Sequence, residues 1–369
     1  MFDATFQSTD LASVLATAQR MVSNKPTIPV LGNVLIKAEG EAIVVSATDT
    51  EIGFRAEIRG SAISPGEVTI SARLLNELVR ALPSTPVRLL AGGADTVTLT
   101  AAGFRGKLAT LPPSDFPMLP VVPKKAPCVL PRVALRDSIA RTRFAITEED
   151  TRYYLNGAYL EPTEGAGRIV ATDGHRLALC DTERVGPAGD AAILPKKTLD
   201  ALSSMLENGS EDAVDYVRGE NHLFFTVGSS VLISRVIDGK YPDYTKIIPK
   251  PSDSPAQIDR AAVLSMLKRI KTVADPVTSH VKFVIVPGAL KVSAKSASVG
   301  DADEAVAANY QGPEVEVGLN VDYVMAFLDA AGTGSVAISI TSPKAQVAFV
   351  TIGGAIDYRY VVMPVSLKE

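Results

Sequence analysis

The stretch Ala42-Ile43-Val44-Val45-Ser46-Ala47-Thr48-Asp49 decides the fold, because an alternating strand that ends in Ala-Thr-Asp occurs again later in the chain. The second copy, Arg168-Ile169-Val170-Ala171-Thr172-Asp173, ends 124 residues after the first. A degenerate third copy, Leu290-Lys291-Val292-Ser293-Ala294-Lys295-Ser296, follows 123 residues after the second. Similar spacings separate Leu31-Gly32-Asn33 from Leu155-Asn156-Gly157, and Phe116-Pro117 from Tyr241-Pro242. Since a unit of this length can bury its own core, the 369 residues are predicted to hold three copies of one domain.

Proline-rich stretches mark the boundaries between the copies. They are Pro120-Val121-Val122-Pro123-Lys124-Lys125-Ala126-Pro127 and Pro249-Lys250-Pro251-Ser252-Asp253-Ser254-Pro255. Proline fixes the backbone and removes a hydrogen-bond donor, so both stretches indicate extended linkers. The predicted domains are therefore residues 1–121, 128–249 and 256–369.

Each copy follows the same order of elements: a helix, several alternating strands, a second helix and more strands. The helices are predicted at residues 8–22, 72–82, 132–145, 197–206, 260–273 and 321–331. Ser71, Pro195 and Asn320 stand near the starts of the second helices, as capping or first-turn residues. The pattern predicts an α+β fold with helices gathered on one side of antiparallel sheets.

The composition is typical of a folded globular protein, with 46% hydrophobic residues, 21% charged residues and a net charge of −4. No apolar run approaches the length that crosses a bilayer, and Met1-Phe2-Asp3-Ala4-Thr5-Phe6 lacks the basic start of a signal peptide. We therefore expect a cytoplasmic protein that makes no membrane contact. Cys128 and Cys180 lie in different copies without a pairing pattern, so both are expected to be free thiols.

Positive charge concentrates on the predicted helices. The residues concerned are Arg20, Lys25, Arg73, Arg80, Arg132, Arg136, Arg141, Arg143, Lys196, Lys197, Lys268, Arg269 and Lys271. One charged helix face is usually only solvated, but the pattern across several helices favours contact with nucleic-acid phosphates. The last helix is an exception, because it carries Asp322 and Asp329 and no Lys or Arg. No recognition-helix or zinc-finger spacing occurs, so readout of base edges is not expected.

Two other classes of function are considered. Asp173, His175 and Cys180 form a short run in which a histidine could activate a thiol. Cys180 follows an apolar pair and is more consistent with a small buried residue, so catalysis ranks below binding. His222 and His280 have no partner at metal-ligand spacing, so neither a metal nor a cofactor is predicted. The second class, a sequence-specific DNA-binding protein, would need base-reading helices, and the sequence has no spacing typical of them.

Seven motifs along the chain carry a family resemblance. They are Pro26-Thr27-Ile28-Pro29-Val30-Leu31-Gly32-Asn33, Thr110-Leu111-Pro112, Asp115-Phe116-Pro117, Arg152-Tyr153-Tyr154-Leu155-Asn156-Gly157, Ala171-Thr172-Asp173-Gly174-His175-Arg176-Leu177, Asp238-Gly239-Lys240-Tyr241-Pro242-Asp243-Tyr244 and Tyr360-Val361-Val362-Met363-Pro364. With these motifs in this order, the chain resembles the bacterial DNA sliding clamp, the β subunit of the replicative DNA polymerase III. The resemblance implies a DNA-clamp fold and a head-to-tail dimeric ring around duplex DNA. It also implies a non-enzymatic processivity factor of DNA replication.

The resemblance further implies a groove that binds short peptide motifs. Its residues would be Arg152, Tyr154, Leu155, Thr172, Gly174, His175, Arg176, Leu177, Pro242, Ile247, Lys344, Gln346, Val361, Met363, Pro364 and Val365. The implied partners are the catalytic subunit of the replicative polymerase, the clamp loader, translesion polymerases, and mismatch-repair and ligase proteins. Lys344 and Gln346 stand where the family commonly has smaller residues. Tyr153 and Tyr154 are implied to touch DNA, although the acidic Thr147-Glu148-Glu149-Asp150 beside them opposes this.

Opposite charges at the two ends of the chain suit a heterologous interface between identical subunits. The first copy offers Arg73, Arg105, Lys107 and Leu108, and the third offers Ile270, Val273, Asp301, Asp303 and Glu304. The alternative that both sets are unrelated surface residues stays open on the sequence alone. The resemblance adds that Gly106 stands where the family often has a large aromatic residue, which leaves less apolar area at this edge.

Overall fold

A computed structural model describes residues 2–22, 26–93, 95–163, 166–183, 187–208, 211–250, 252, 254–332, 334–353 and 356–367. Lys25, one of the predicted DNA-binding residues, lies outside these ranges. In the described ranges, no helix has both the length and the apolar character needed to cross a membrane.

The helices come in pairs, one pair for each copy of the domain. They are α1 Ser8–Met21, α2 Ala72–Ala81, α3 Arg132–Thr142, α4 Lys196–Asn208, α5 Arg260–Lys271 and α6 Val321–Ala330. The sequence prediction of all six is confirmed, with each end within about three residues. Two of the proposed caps also form, because Ser71 Oγ accepts from Leu74 N at 3.4 Å and Asn320 Oδ1 accepts from Asp322 N at 2.9 Å.

The strands follow the same repeated order between the helices. They are β1 Asp3–Gln7, β2 Asn33–Glu39, β3 Ala42–Thr48, β4 Ile52–Ser64, β5 Gly66–Ser71, β6 Pro86–Ala91, β7 Thr96–Ala101, β8 Phe104–Ala109, β9 Cys128–Pro131, β10 Gly157–Thr163, β11 Ala166–Thr172, β12 Arg176–Glu183, β13 Ala192–Pro195, β14 Ala213–Arg218, β15 His222–Val227, β16 Ser230–Arg235, β17 Ala256–Asp259, β18 His280–Val286, β19 Ala289–Ser296, β20 Gly300–Asn309, β21 Val315–Asn320, β22 Ser335–Ser339, β23 Val347–Ile352 and β24 Asp357–Val362. Most alternate buried and exposed positions, which is the period of a strand with one covered face.

The chain forms two compact units, each built on one antiparallel sheet. The first comprises Met1–Arg136, Val185–Asp190 and Lys197–Val236, and the second Asp137–Arg184, Ala191–Lys196 and Ile237–Glu369. In the first sheet the order is β8-β7-β6-β1-β4-β16-β15-β14-β9, with β3 also on β4 and β2 joining β3 to β5. In the second it is β13-β10-β11-β12-β24-β23-β22-β17-β20-β19-β18-β21. The middle copy therefore contributes strands to both sheets.

Successive copies are joined by strand pairing at one repeated place. In the first unit β4 pairs with β16, and Gly53 lies opposite Ile233. In the second unit β12 pairs with β24, and Leu177 lies opposite Val361. The fourth strand of one copy thus pairs with the last strand of the next copy.

The helices cover these sheets and complete the cores. In the first unit α1 packs on α2, β3 and β4, and in the second α5 packs on α6, β19 and β20. Leu11, Leu15, Leu267 and Phe327 are all fully buried in these layers. Burial of each such side chain contributes about 1.5–3 kcal/mol, so the helix faces are held to the sheets mainly by apolar contact.

Candidate functional site

The second Ala-Thr-Asp motif forms a hydrogen-bonded turn between β11 and β12. Thr172 Oγ1 donates to the main-chain oxygen of Arg176 at 2.6 Å and accepts from Gly174 N at 3.1 Å. Asp173 Oδ1 accepts from the main-chain nitrogens of His175 and Arg176 at 2.9 and 3.0 Å. Threonine and aspartate hold such turns because their short side chains reach nearby backbone groups. The turn therefore fixes the positions of three predicted groove residues, Thr172, Gly174 and His175, relative to the start of β12.

Gly174 and Arg152 meet at the edge of this turn. Gly174 has φ +88°, a conformation that glycine adopts without steric cost. Arg152 Nη1 donates to the main-chain oxygen of Asp173 at 3.2 Å, and Arg152 Nη2 lies 3.0 Å from Glu149 Oε2. A Cβ on Gly174 would stand 2.6 Å from Arg152 Nη1. The absent side chain thus leaves room for the guanidinium group to brace the turn.

An apolar floor lies beside the turn, within the second unit. Leu155, Leu177 and Val361 are 4%, 1% and 1% exposed and belong to one buried cluster. The rest of that cluster consists of Val170, Leu179, Ile193, Tyr241 and Tyr244. Tyr154 and Ile247 pack against it while remaining partly exposed. The structure thus brings five predicted groove residues together, as a hydrophobic surface with an accessible margin.

Met363 forms the exposed apolar wall of the groove. Its main-chain nitrogen donates to the oxygen of His175 at 2.9 Å, so it continues the pairing of β12 with β24 for one residue. Its side chain is 39% exposed, whereas the neighbouring Val361 and Leu177 are buried. Two residues further on, Val365 N donates to the oxygen of Gly318 at 2.9 Å, which turns the chain end toward β21. Pro242, Pro364, Val365 and Gln346 are half-buried, and Lys344 and His175 are exposed.

Arg176, one of the predicted groove residues, occupies an enclosed position. Its guanidinium Nε lies 2.9 Å from Asp173 Oδ2, and its Nη2 donates to the oxygen of Phe144 at 2.8 Å. The guanidinium carbon lies 4.5 Å from the centre of the Tyr323 ring and 5.3 Å from that of Phe144. Only 15% of the side chain is exposed. Arg176 therefore ties the turn to its surroundings, and its contact with a peptide stays a prediction.

Many of the predicted DNA-binding residues form ion pairs within the chain. The pairs are Arg73 with Glu77, Lys196 with Glu148, Lys197 with Asp49 and Glu51, Arg269 with Glu304, and Lys271 with Asp322. Arg80 and Lys268 are exposed and have no ion pair among the described residues. Arg20 Nη1 donates to Ser204 Oγ at 2.5 Å and lines, with Arg80, a cavity of about 600 Å³ in the first unit.

The remaining predicted DNA contacts differ in their exposure. Arg141 places its guanidinium carbon 6.0 Å from the centre of the Tyr358 ring, and its Nη1 is buried without a hydrogen-bond partner in the described part of the chain. Arg136 is half-buried, and Arg143 is exposed. Tyr153 is 57% exposed, so it is more accessible than Tyr154, which packs on the floor of the groove. Geometry favours Arg143 and Tyr153 over Arg141 as surface contacts.

Three of the predicted interface residues of the first copy, Arg105, Lys107 and Leu108, lie on the outermost strand of its sheet, whereas Arg73 lies on α2. β8 ends the first sheet, with Arg105 and Lys107 exposed and Leu108 6% exposed. The Phe104 ring lies over Gly106, because a Cβ on Gly106 would stand 3.0 Å from Phe104 Cε1 and Cζ. The ring is 40% exposed. This edge therefore has an aromatic surface, supplied from a position that the sequence prediction did not consider.

The predicted interface residues of the third copy are divided between surface and core. Asp301 and Asp303 are exposed on β20, and Glu304 is bound to Arg269. Ile270 is 2% exposed, so it packs in the core of its own domain, and Val273 is half-buried.

The arrangement of His175 and Cys180 does not suit nucleophilic catalysis. Cys180 is fully buried in β12, opposite Ile169 on one side and Tyr358 on the other. Burial raises the pKa of its thiol well above the usual range, so the reactive thiolate is disfavoured. His175 lies at the exposed turn that precedes the strand. In the described ranges no group of three potential metal ligands comes together.

The sequence prediction missed the tyrosines beneath the groove. Tyr241 and Tyr244 are 7% and 5% exposed in the buried cluster, and the Tyr241 ring stacks on Tyr159 with centres 5.0 Å apart. Burial raises the pKa of Tyr244 to about 12, so its hydroxyl stays protonated at neutral pH and can donate to Glu161 at 2.5 Å. A signal was present, because both residues flank Pro242 in one of the quoted motifs.

Repeated α+β domains that are joined strand to strand, with an apolar groove at the second joint, define a three-domain sliding clamp. Family models of the DNA polymerase III beta subunit match the chain as N-terminal domain at residues 3–120, central domain at 129–243 and C-terminal domain at 245–366. The chain belongs to this family of bacterial beta sliding clamps and is a processivity factor of DNA replication. The predicted clamp fold of three α+β domains and the predicted role as a processivity factor are confirmed, and the dimeric ring stays a prediction. The domain boundaries proposed from the linkers remain predictions.

Similar proteins extend over the whole chain. The beta sliding clamp of Pseudomonas putida is 33% identical over 367 residues, which cover 98% of this chain and 99% of that protein. A crystal structure of the Pseudomonas aeruginosa clamp bound to griselimycin has a TM-score of 0.92 and 31% identity, and covers 99% of this chain and 100% of its own. The Caulobacter crescentus sliding clamp has a TM-score of 0.91 and 30% identity, with both chains covered completely.

Proposed function

We propose that two copies of this chain close head to tail into a ring that encircles duplex DNA. The observation that carries the proposal is the repeated joint, in which the fourth strand of a copy pairs with the last strand of the next. The fourth strand of the third copy is β20. Its residues 300–306 pair with β19 on one side, and on the other side they have no strand partner among the described residues. The last strand of the first copy is β8, which ends its sheet. A third joint between β20 and β8 of the partner subunit would use both free edges.

The two joints within the chain indicate the register that a third joint, between β20 and β8 of the partner subunit, would have. Three strand pairs occupy equivalent positions at the turns before the fourth strands. They are Thr48 with Gly53, Thr172 with Leu177, and Lys295 with Asp301. In the same way, two strand pairs occupy equivalent positions in the hairpins that lead into the last strands. They are Ala101 with Phe104 in the first copy and Val227 with Ser230 in the second. In the first joint Ser234 lies opposite Ile52. Leu108 is the residue of β8 that corresponds to Ser234, and Gly300 is the residue of β20 that corresponds to Ile52.

This register pairs opposite charges across the proposed joint. With Gly300 opposite Leu108 of the partner subunit, Asp301 faces Lys107 of the partner subunit and Asp303 faces Arg105 of the partner subunit. All four charged side chains are exposed on the single chain, as a pair of solvent-facing rows requires. Opposite charges directly across antiparallel strands contribute roughly 0.2–1 kcal/mol per pair. The charge pattern therefore supports one register over its neighbours.

A ring of this kind holds DNA by topology and needs only weak phosphate contacts. Arg80 and Lys268 suit this role best, because they are exposed and unpaired among the described residues. Sequence-independent attraction between phosphates and cations permits sliding, since no base is read. The ring would work on DNA in the bacterial cytoplasm without a cofactor and without catalysis. A clamp loader with its own ATP would open it.

The groove between Leu177 and Met363 would tether the partners. Its buried floor and half-exposed methionine suit an apolar anchor of a short peptide, with His175 and Arg152 at the polar margin. The proposed partners are the catalytic subunit of the replicative polymerase, the clamp loader, translesion polymerases, and mismatch-repair and ligase proteins. Lys344 and Gln346 would set affinity at the far end of the groove.

The topological claim is tested with circular DNA. The protein, loaded on a nicked circle by a clamp loader, should stay bound at a salt concentration that abolishes phosphate contacts. It should leave once a restriction enzyme cuts the circle. Light scattering should give twice the mass of the chain at micromolar concentration. Retention on the cut DNA, or a monomer at that concentration, would contradict encirclement.

A further inference from the structure

A pocket of about 240 Å³ in the first unit is the repeat counterpart of the peptide groove. It lies at the joint of β4 and β16, where Gly53 and Ile233 are directly opposite. In the groove, Leu177 and Val361 are opposite each other in the same way. The two sites therefore have one backbone framework.

The turn beside this pocket repeats the turn beside the groove. Thr48 Oγ1 donates to the oxygen of Ile52 at 2.7 Å, and Asp49 Oδ1 accepts from Glu51 N and Ile52 N at 3.0 Å. Thr50 has φ +79°, close to the +88° of Gly174. These contacts match those of the second Ala-Thr-Asp turn one by one, so both sites have the same rigid margin.

The last strands also end alike at the two sites. Arg235 N donates to the oxygen of Glu51 at 3.0 Å, as Met363 N donates to the oxygen of His175 at 2.9 Å. His222 lies opposite Arg235 in the ladder between β15 and β16 and lines the pocket. Arg235 thus stands at the position of Met363. The exposed apolar wall of the groove is replaced by a guanidinium group.

The residues just before the first proline-rich linker supply the apolar part of the pocket. Leu119 fills the space that a side chain on Gly53 would take, because a Cβ there would stand 2.9 Å from Leu119 Cδ2. Met118 lies at the mouth with 97% of its surface exposed, and Pro117 corresponds to Pro242 of the groove. A fully exposed methionine beside a pocket is an adaptable apolar contact for a ligand.

One cation at the mouth has no ion pair among the described residues, and it would bind an acidic ligand. The carboxylates of Asp49 and Glu51 are both bound to Lys197. Arg235 is exposed, and in the described ranges it has no ion pair. Burial and the neighbouring Arg235 lower the pKa of His222, so this imidazole is neutral at pH 7 and adds no second charge. The guanidinium of Arg235 is therefore the free charged group, and its planar donors suit a carboxylate.

We propose that this pocket is a second docking site of the chain, which takes a short acidic segment of a partner protein. One aliphatic side chain of the segment enters beside Ile233 and Leu119, and an adjacent carboxylate binds Arg235. The volume admits one or two aliphatic side chains, so a shorter motif fits here than in the groove. The two sites would then select different segments, apolar at Met363 and acidic at Arg235.

Methyl-labelled methionine tests the proposal in the intact protein, because Met118 reports the pocket and Met363 reports the groove. The probe is a capped pentapeptide with two leucines alternating with three aspartates, and its twin carries lysines in place of the aspartates. The aspartate peptide should shift the Met118 methyl signal. Its dissociation constant at that site should rise about tenfold or more in Arg235→Glu, since repulsion replaces a charge-assisted bond.

Arg59→Glu is the matched control, because Arg59 is exposed on β4 outside the pocket and the substitution changes net charge equally. It should leave the Met118 titration within about twofold. The lysine twin should not shift Met118. The proposal is overturned if the aspartate peptide shifts Met363 alone, if the lysine twin binds equally well, or if the two arginine variants behave alike.

Discussion

Arg152 Nη1 lies 2.6 Å from the point where a Cβ on Gly174 would stand, while it donates a hydrogen bond to the oxygen of Asp173. Gly174→Ala should therefore displace the guanidinium group as well as strain a backbone with φ +88°. We expect a loss of about 1–3 kcal/mol in stability from the backbone conformation. We also expect weaker binding of a polymerase-derived peptide, because the turn that supports His175 loses its brace.

Gly40→Ala separates these two effects. Gly40 has φ +62°, and apart from its two chain neighbours no described residue has an atom within 4 Å of its Cβ position. The melting temperature should fall in both variants, but peptide affinity, measured by calorimetry, should fall only in Gly174→Ala. Equal affinities in the two variants would show that the contact with Arg152 does not support the groove.

Met363→Ala should weaken the same peptide without destabilising the protein. Its side chain is 39% exposed, so truncation leaves no internal cavity, while binding of the peptide weakens by roughly 1–2 kcal/mol because less apolar surface is buried. Val277→Ala truncates an apolar residue that is 90% exposed and lies outside the groove, so it is the control for peptide binding. Leu177→Ala is a poorer test, because Leu177 is 1% exposed and its truncation should cost about 2–5 kcal/mol of stability. Unchanged affinity in Met363→Ala would refute the placement of the groove.

The repeat in the sequence predicted the helices and the order of strands, because local period and capping residues determine both. It did not predict the joints. No pattern within β4 indicates that its edge pairs with β16, since that pairing connects residues about 180 positions apart. The division of the middle copy between two sheets follows from these joints, so the sequence did not predict it either.

The family resemblance, and not a pattern within one strand, grouped Leu155, Leu177 and Val361, which lie in one buried cluster. Leu177 and Val361 are opposite each other in β12 and β24, whereas Leu155 precedes β10, so the alternation of a strand does not join all three. The surroundings of Arg141 and Arg176 depend on Tyr358 and Tyr323, aromatic side chains from the third copy. The position of an arginine in a helix or strand predicts which face it occupies, but it does not predict which distant aromatic ring its guanidinium group contacts.

Asp3 should make the stability of the folded protein depend on pH in the acid range. Arg88 Nε and Nη2 donate to its two carboxylate oxygens at 2.8 and 2.6 Å, and this hydrogen bonding lowers the pKa of Asp3. A carboxyl group with a lowered folded-state pKa stabilises the protein above its unfolded value of about 3.9. That contribution is lost as pH falls through the folded-state value. Asp3→Asn should lower the melting temperature at pH 7, and the difference from the parent should shrink below about pH 4.

Charge reversal tests the register of the proposed ring. Lys107→Asp should weaken the dimer, because Asp301 of the partner subunit would then face a like charge. Asp301→Lys in the same chain should restore it, since every joint regains an opposite pair. Dissociation is measured by light scattering on dilution. Lys291→Asp on β19 is the control, and it should leave the dimer unchanged. A double variant that dissociates more readily than either single variant would exclude this register.

The prediction for DNA binding concerns Arg80 and Lys268. Both are exposed on helices, and neither has an ion pair in the described ranges, so their reversal breaks no internal ion pair. In Arg80→Glu with Lys268→Glu, direct binding to duplex DNA should weaken, and the slope of log K against log salt should fall by about 1 for each phosphate that the protein no longer neutralises. Helix propensity hardly changes, so circular dichroism should match the parent.

Lys124→Glu with Arg59→Glu makes the same change in net charge at a linker and a strand. If the helices face the DNA, this control should keep most of the salt dependence, because counterion release follows the number of neutralised phosphates rather than net charge. The comparison must use intact rings, so the mass of each variant is checked first. Equal losses in the two variants would mean that only overall charge governs binding, and the helices would then have no special place at the DNA.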